Sequence, residues 1–152
     1  MKDWSFDTAF SRMAALCTAS EHCASEIREQ LQRAAMPAEE IQRVVDRLTE
    51  ERYLDTASYC RAFSRDKLRF ARWGRVKIEQ SLHAKGLPEE DIRRAINDLP
   101  AEEYTQVLQD LLEQKNRSLR HEDNYTRRGK LLRFAAGRGF TMGETMEALR
   151  PS

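Results

Sequence analysis

The chain has 152 residues, 34% of them charged and 40% hydrophobic, and its 26 Lys and Arg against 25 Asp and Glu leave a net charge of +1. That balance excludes a global field drawing the protein onto nucleic acid or membrane, so any such role needs a local patch. No run approaches the roughly 18 apolar residues of a spanning helix, the opening MKDWSFDTAF has no apolar signal region, and Cys17, Cys23 and Cys60 read as free thiols of a reducing compartment. The expectation is a cytoplasmic monomer without membrane contact.

Helical periodicity organises the chain from its start. A first helix is predicted from about Asp7 to Ala19. Ile27 and Leu31 then share one helix face, and Ile41, Val44 and Val45 share another after a break at Met36-Pro37. A helix from about Thr56 to Arg72 follows, with Asp55 as its N-cap. Next come Ile78 and Leu82, the break Lys85-Gly86-Leu87-Pro88, and Ile92, Ala95 and Ile96. Gly86 stands where a helix ends in a left-handed residue, and Pro88 where the next begins. A helix from about Ala101 to Leu119 precedes Leu131, Ala135 and Phe140. There Thr141 with Glu144 three residues on makes a capping box ahead of Thr145, Ala148 and Leu149.

Laid over one another, Ile27, Leu31, Met36, Pro37, Ile41, Val44 and Val45 match Ile78, Leu82, Leu87, Pro88, Ile92, Ala95 and Ile96 in kind. The third run is a weaker copy. Nothing alternates with period two. The chain is therefore read as all-α: three tandem three-helix repeats, residues 1–55, 56–99 and 100–152, in a curved, elongated array whose units bury their stripes against one another.

Charge is distributed unevenly along this array. Arg61, Arg65, Lys67, Arg69, Arg72, Arg75 and Lys77 face a single acid in their segment, Asp66, and the spacing of Arg61, Arg65, Arg69 and Arg72 stacks them on one helix face. Guanidinium forks in such a row can meet phosphates or carboxylates. Trp73 in the same stretch is expected to pack between helices, and Gly74 to let the chain turn. A second basic region from Lys115 to Arg138 includes Arg127, Arg128, Lys130, Arg133 and Arg138. The tract between, Glu89 to Glu113, is mainly acidic.

Other chemistry finds little support. Cys17, His22 and Cys23 lack the further pair that a four-ligand zinc site requires, and Cys23 reads as a small residue at a helix cap. His83 and His121 stand alone beside charged neighbours. The glycines of AAGRGFTMG are one residue too widely spaced for a dinucleotide fingerprint and follow a helix instead of a strand. No catalytic, cofactor or metal site is assigned, and no enzyme activity is expected.

The segment RWGRVKIEQSLHAKGLPEEDIRRAI resembles the central signature of the bacterial RecX family. EHCASEIREQL is similar to the first-repeat opening, LTEERYLDTASYCRAFSRDK to the junction that follows, and KLLRFAAGRGFTMGETMEAL to the final repeat. Two positions depart from the pattern: Cys23 where Ser is usual as a cap, and Arg52 where Gly is common. The resemblance implies a non-enzymatic regulator of the recombinase RecA that lies in the groove of the RecA filament on single-stranded DNA. It would block filament extension, ATPase, recombinase and coprotease activity; direct binding of single-stranded and, secondarily, double-stranded DNA is implied too. Charge placed on family-matching positions then selects Arg65, Lys67, Arg69, Arg72, Trp73, Arg75, Lys77 and Lys85 as one contact strip, and Arg127, Arg128, Lys130, Arg133 and Arg138 as a second. The alternative is a module that holds phosphates non-specifically through its basic helices.

Overall fold

A computed structural model describes residues 4–151. Among the described residues there are nine helices and no strand: α1 Phe6–Ala19, α2 Ala24–Arg33, α3 Ala38–Glu50, α4 Thr56–Asp66, α5 Arg75–Ala84, α6 Glu89–Asn97, α7 Ala101–Arg117, α8 Asn124–Gly137 and α9 Met142–Ala148. The helices begin where the cap chemistry places them. Ser5, Asp55, Asp123 and Thr141 each accept a backbone N–H from the first turn at 2.7–3.2 Å, and Pro37, Pro88 and Pro100 hold the extended backbone that opens α3, α6 and α7. In the capping box at Thr141, the Glu144 carboxylate accepts the Thr141 N–H at 2.8 Å.

One closure recurs in all three units. Ala35, Gly86 and Gly139 are left-handed, with φ of 60°, 77° and 97°. The next residue in each case, Met36, Leu87 or Phe140, is buried and returns its N–H to Leu31, Leu82 or Ala135. This is a Schellman closure in triplicate, its apolar C″ residue pinned against the last turn. It ends α2, α5 and α8 and sets the angle at which α3, α6 and α9 leave. Arg52 closes α3 in the same way with φ 61°, so an arginine takes the conformation that glycine would adopt more easily.

The helix expected to run on to Arg72 does not do so as an α-helix. After Asp66, Lys67–Ala71 wind as a π turn, Arg72 is left-handed at φ 56°, and the Trp73 N–H reaches back to the Lys67 carbonyl at 3.0 Å. A π turn is the usual way to insert one extra residue into a helix, and it changes the direction of every side chain beyond it.

The apolar slots found by periodicity on α2, α3, α5 and α6 are buried, while Ala148 and Leu149 of the third run are only partly so. Ile27, Leu31, Ile78 and Leu82 are fully enclosed, each stabilising the fold by about 1.5–3 kcal/mol relative to exposure. They fall into two clusters. Helices α1–α3 enclose Ala9, Met13, Ile27, Leu31, Val44 and Leu48; α4–α9 share one core running from Tyr59 and Leu68 through Ile92 and Tyr104 to Phe140. The second and third units are thus one packed body, to which the first unit contributes Cys23. Among the described residues, no hydrogen bond or ion pair crosses directly from α1–α3 to α7–α9, as a linear series requires.

Two junctions tie the series together. At the first, Glu21 accepts from Ser58 at 2.7 Å and Glu26 from Tyr59 at 3.1 Å. At the second the backbones themselves meet: the Gly74 N–H donates to Arg138 at 2.7 Å and the Val76 N–H to Gly139 at 3.0 Å. Gly74 has φ −83°, a value open to any residue, so the expectation that it serves the turn is corrected. A Cβ there would stand 2.4 Å from the Gly139 carbonyl oxygen. The missing side chain is what lets the two units touch.

Candidate functional site

The first strip of sequence-predicted cations is divided by the π turn. Arg61 and Arg65 lie exposed on α4, with no ion pair among the described residues. Arg69, beyond it, points across to α7 and grips the Glu103 carboxylate through two nitrogens at 2.7 and 3.2 Å. That hydrogen bond holds the Glu103 carboxyl below the usual carboxylate range. Arg72 sits past the end of the helix and donates to Gln114 at 3.4 Å. The single continuous face expected for Arg61, Arg65, Arg69 and Arg72 is therefore not formed, because the π turn rotates the last two toward the third unit.

Arg75 is committed to the second junction. It pairs with Glu144 at 2.9 Å, lies 3.7 Å over the Tyr104 ring, and donates its backbone N–H to the Tyr104 hydroxyl at 3.0 Å. Burial pushes that phenol well above its ordinary range, so it stays a neutral clasp at any physiological pH.

Three lysines gather around an aromatic pair. Trp73 is half-buried and meets Phe63 edge-on at 6.5 Å, while Lys67 and Lys77 stand 4.7 and 4.8 Å from the Trp73 centroid. Lys67 and Lys85 are 5.4 and 5.7 Å from the Phe63 ring. Trp73 thus packs between helices, as expected, and its ring positions ammonium groups. Lys77 also donates to the Gly137 carbonyl, and Lys85 pairs with Glu26 at 3.4 Å.

The second strip lies on α8. Lys130 is paired with Glu122 at 2.5 Å and Arg127 is held by Asn124. Arg128 and Arg133 are exposed without an ion pair among the described residues. Arg138, at the far end of α8, donates to the Ala71 carbonyl at 3.0 Å. The π turn and the end of α8 therefore meet, and the two basic regions, remote in sequence, are joined at this point. A groove of about 300 Å³ opens there, lined by Arg72, Leu111, Gln114, Lys115, Ser118, Phe134 and Arg138.

Two features escaped the sequence reading. Phe70, in the π turn, is 82% exposed, and Tyr125, at the start of α8, is 91% exposed. Both stand near cations in the sequence, Phe70 beside Arg69 and Tyr125 two residues before Arg127. Their residue type pointed inward, and only the path of the backbone shows otherwise. Separately, Glu79, His83 and Glu89 bring ligand-type atoms within 4.8 Å of one another on an exposed face, with His83 at 3.2 Å from Glu89. His83, read as isolated, therefore sits between two carboxylates.

The cysteines are unpaired. Burial pushes the Cys60 thiol up to about 11 and raises Cys17 also, so neither is an activated thiolate. Cys23 caps α2, its N–H donating to Glu26 at 3.0 Å. Burial pushes the Glu26 carboxyl up, but that backbone N–H, Lys85 and the Tyr59 hydroxyl together outweigh burial and hold it below the usual range. Among the described residues, no helix is long and apolar enough to cross a membrane.

Comparison with known proteins places this geometry. Family models described as RecX, second and third three-helix domains, match residues 55–96 and 102–149. The regulatory protein RecX of Prosthecochloris aestuarii is 30% identical over 152 residues, covering 98% of each chain. That of Thermus thermophilus is 33% identical over 111 residues, 73% of this chain and 69% of the relative. Among solved structures, a crystal structure of regulatory protein RecX superposes with a TM-score of 0.85 at 22% identity, over 94% of this chain and 70% of the other. RecX from Lactobacillus salivarius gives 0.82 at 12% identity, over 95% and 94%. These likenesses show the same tandem helical fold.

Proposed function

This chain belongs to the RecX family of regulatory proteins, and from that premise we propose that it is a non-enzymatic inhibitor of RecA, bound in the groove of the RecA filament on single-stranded DNA. Its three units, residues 1–55, 56–99 and 100–152, act as successive contact modules. Each adds a contact whose effective concentration is raised by the one before, so a chain that engages several protomers blocks filament extension and the ATPase, recombinase and coprotease activities that depend on it.

The main support is a contrast among the cations. Arg61 and Arg65 on α4, and Arg128 and Arg133 on α8, are exposed and form no ion pair among the described residues, whereas Arg69, Arg75 and Lys130 are satisfied within the fold. Unpaired guanidinium groups on two different units supply the separate polyanionic or carboxylate contacts that a multivalent groove binder needs. The exposed rings of Phe70 and Tyr125 favour a second reading, a module that binds nucleic acid directly.

Titrating the chain into single-strand-dependent ATP hydrolysis by the cognate RecA, beside binding to naked single-stranded DNA at two salt concentrations, separates the two. Inhibition well below equimolar amounts, under salt at which naked DNA is not bound, is the expected outcome. Tight salt-sensitive DNA binding with no effect on RecA would replace the first reading by the second.

A further inference from the structure

Glu79 and His83 stand one helical turn apart on α5, and Glu89 is the first residue of α6. The i, i+4 spacing brings the first two to one face. The connection between the helices brings the third: Gly86 closes α5 in the left-handed region, and Pro88 holds the extended backbone from which α6 leaves. The His83 Nε2 atom then lies 3.6 Å from a Glu79 oxygen and 3.2 Å from a Glu89 oxygen, and the three ligand-type atoms all fall within 4.8 Å of one another. Ligands about 2.0–2.2 Å from a tetrahedral zinc stand about 3.3–3.6 Å apart. The two separations at His83 are close to such an edge already, and rotation of the exposed carboxylates closes the third.

Two features distinguish this cluster from an ordinary surface ion pair. Among the described residues neither Glu79 nor Glu89 pairs with a Lys or Arg. The basic residues near them in the sequence are engaged elsewhere: Lys77 donates to the Gly137 carbonyl, Lys85 pairs with Glu26, and Arg93 and Arg94 pair with Glu90. Two carboxylates held this close repel one another, and a cation between them offsets the repulsion. The repeat architecture, moreover, does not require these residues. The corresponding positions are Arg28, Gln32 and Ala38 in the first unit, and Leu132, Ala136 and Met142 in the third. The unit folds twice in the same chain without them, so the triad is an addition to the second unit's surface.

We propose that Glu79, His83 and Glu89 form a binding site for a divalent transition-metal ion of the zinc class. One imidazole and two carboxylates suit a borderline ion, and the imidazole nitrogen disfavours magnesium and calcium, which take oxygen ligands. Three protein ligands leave a fourth position open to water or to a donor from outside the chain. Binding joins α5 to α6 across their turn. It therefore stabilises the folded second unit, since the three ligands converge only when that turn is formed. His83, read from the sequence as isolated, is the central ligand.

The test uses the full chain without an affinity tag, dialysed against chelator and titrated with zinc chloride by calorimetry, with thermal unfolding followed at each zinc level. The wild type is expected to take up a single equivalent and to unfold at higher temperature when loaded. His83→Gln, Glu79→Gln and Glu89→Gln are each expected to weaken binding by about ten-fold or more, since even changes behind the ligands cost metal sites that much, and His83→Gln to abolish the thermal shift. All three side chains are exposed, so circular dichroism should show native helicity in each variant. Cobalt(II) in place of zinc should give visible absorption bands in the wild type that His83→Gln loses. His121→Gln, at an exposed histidine between α7 and α8, is the control and should bind as the wild type does. Zinc binding that survives His83→Gln places the ion elsewhere, on the thiols for example, and overturns the site. Equal uptake of magnesium, which is plain attraction to carboxylate charge, overturns it as well, as does the absence of binding at millimolar zinc. Loss in His83→Gln alone, with both glutamate variants unchanged, would reduce it to an adventitious contact with one imidazole.

Discussion

Replacing Gly74 with Ala tests the claim that the second and third units are joined through bare backbone. The added Cβ would lie 2.4 Å from the Gly139 oxygen, 2.5 Å from its carbonyl carbon and 2.7 Å from the Phe140 nitrogen, all main-chain atoms that cannot swing aside. Ordinary contact begins at 3.4 Å, so the units must part by about 1 Å. That stretches the Gly74–Arg138 hydrogen bond, now 2.7 Å, and the Val76–Gly139 bond, now 3.0 Å, beyond useful length. Two backbone hydrogen bonds at a net of about 1 kcal/mol each, with some loss from the Arg75–Glu144 clasp beside them, give a destabilisation of about 2–3 kcal/mol. Two other glycines calibrate it. Gly86 has φ 77° and open space around its Cβ position, so Gly86→Ala carries only the conformational cost of about 1 kcal/mol. Gly137 lies within α8 with open space, and Gly137→Ala should stabilise by up to about 1 kcal/mol. Urea unfolding of the three variants by far-ultraviolet circular dichroism gives the order. A Gly74→Ala loss no greater than that of Gly86→Ala would refute the backbone junction.

Further outcomes follow from the same geometry. Ala35→Gly and Arg52→Gly should each stabilise by about 0.5–1 kcal/mol in the same assay, since both positions are left-handed and glycine relieves that strain. Glu26 has a depressed carboxyl in the folded protein, so its contribution is present at neutral pH and fades as pH falls through the ordinary carboxylate range and below. The wild type should therefore lose more stability between pH 7 and pH 4 than Glu26→Gln, and parallel curves would rule out the Glu26 cluster as the cause. At pH 8, Cys60 should react with a thiol reagent only at the rate of unfolding, since its pKa is pushed up to about 11 and its side chain is enclosed; fast modification in native buffer would contradict this.

Much of the fold was legible in the chain because its determinants are local. Ile27, Leu31, Ile78 and Leu82 occupy spacings that only a helix brings to one face, and the Gly86 and Thr141 chemistry marks helix ends whatever the surroundings. Gly139 closes α8 as Gly86 closes α5, for the same local reason. The candidate site was less legible. Charge counting selected Arg69 and Arg75 alongside Arg128 and Arg133, since a row of cations looks the same in sequence whether or not carboxylates from another unit meet it. Glu103 lies on α7 and Glu144 caps α9, far along the chain from Arg69 and Arg75.

Composition, periodicity and cap chemistry by themselves determined that this protein is a helical array of three similar units with its charge arranged in blocks. Those properties depend on residues within a few positions of one another, so short segments suffice to express them. The π turn after Asp66, the outward Phe70 ring, the backbone contact of Gly74 with Gly139 and the meeting of Arg72, Lys115 and Arg138 were decided only by the tertiary structure. Each depends on how α4 and the turn after it pack on α7 and α8. Packing between elements distant in the chain follows from the fit of whole surfaces, which no local pattern of residues records.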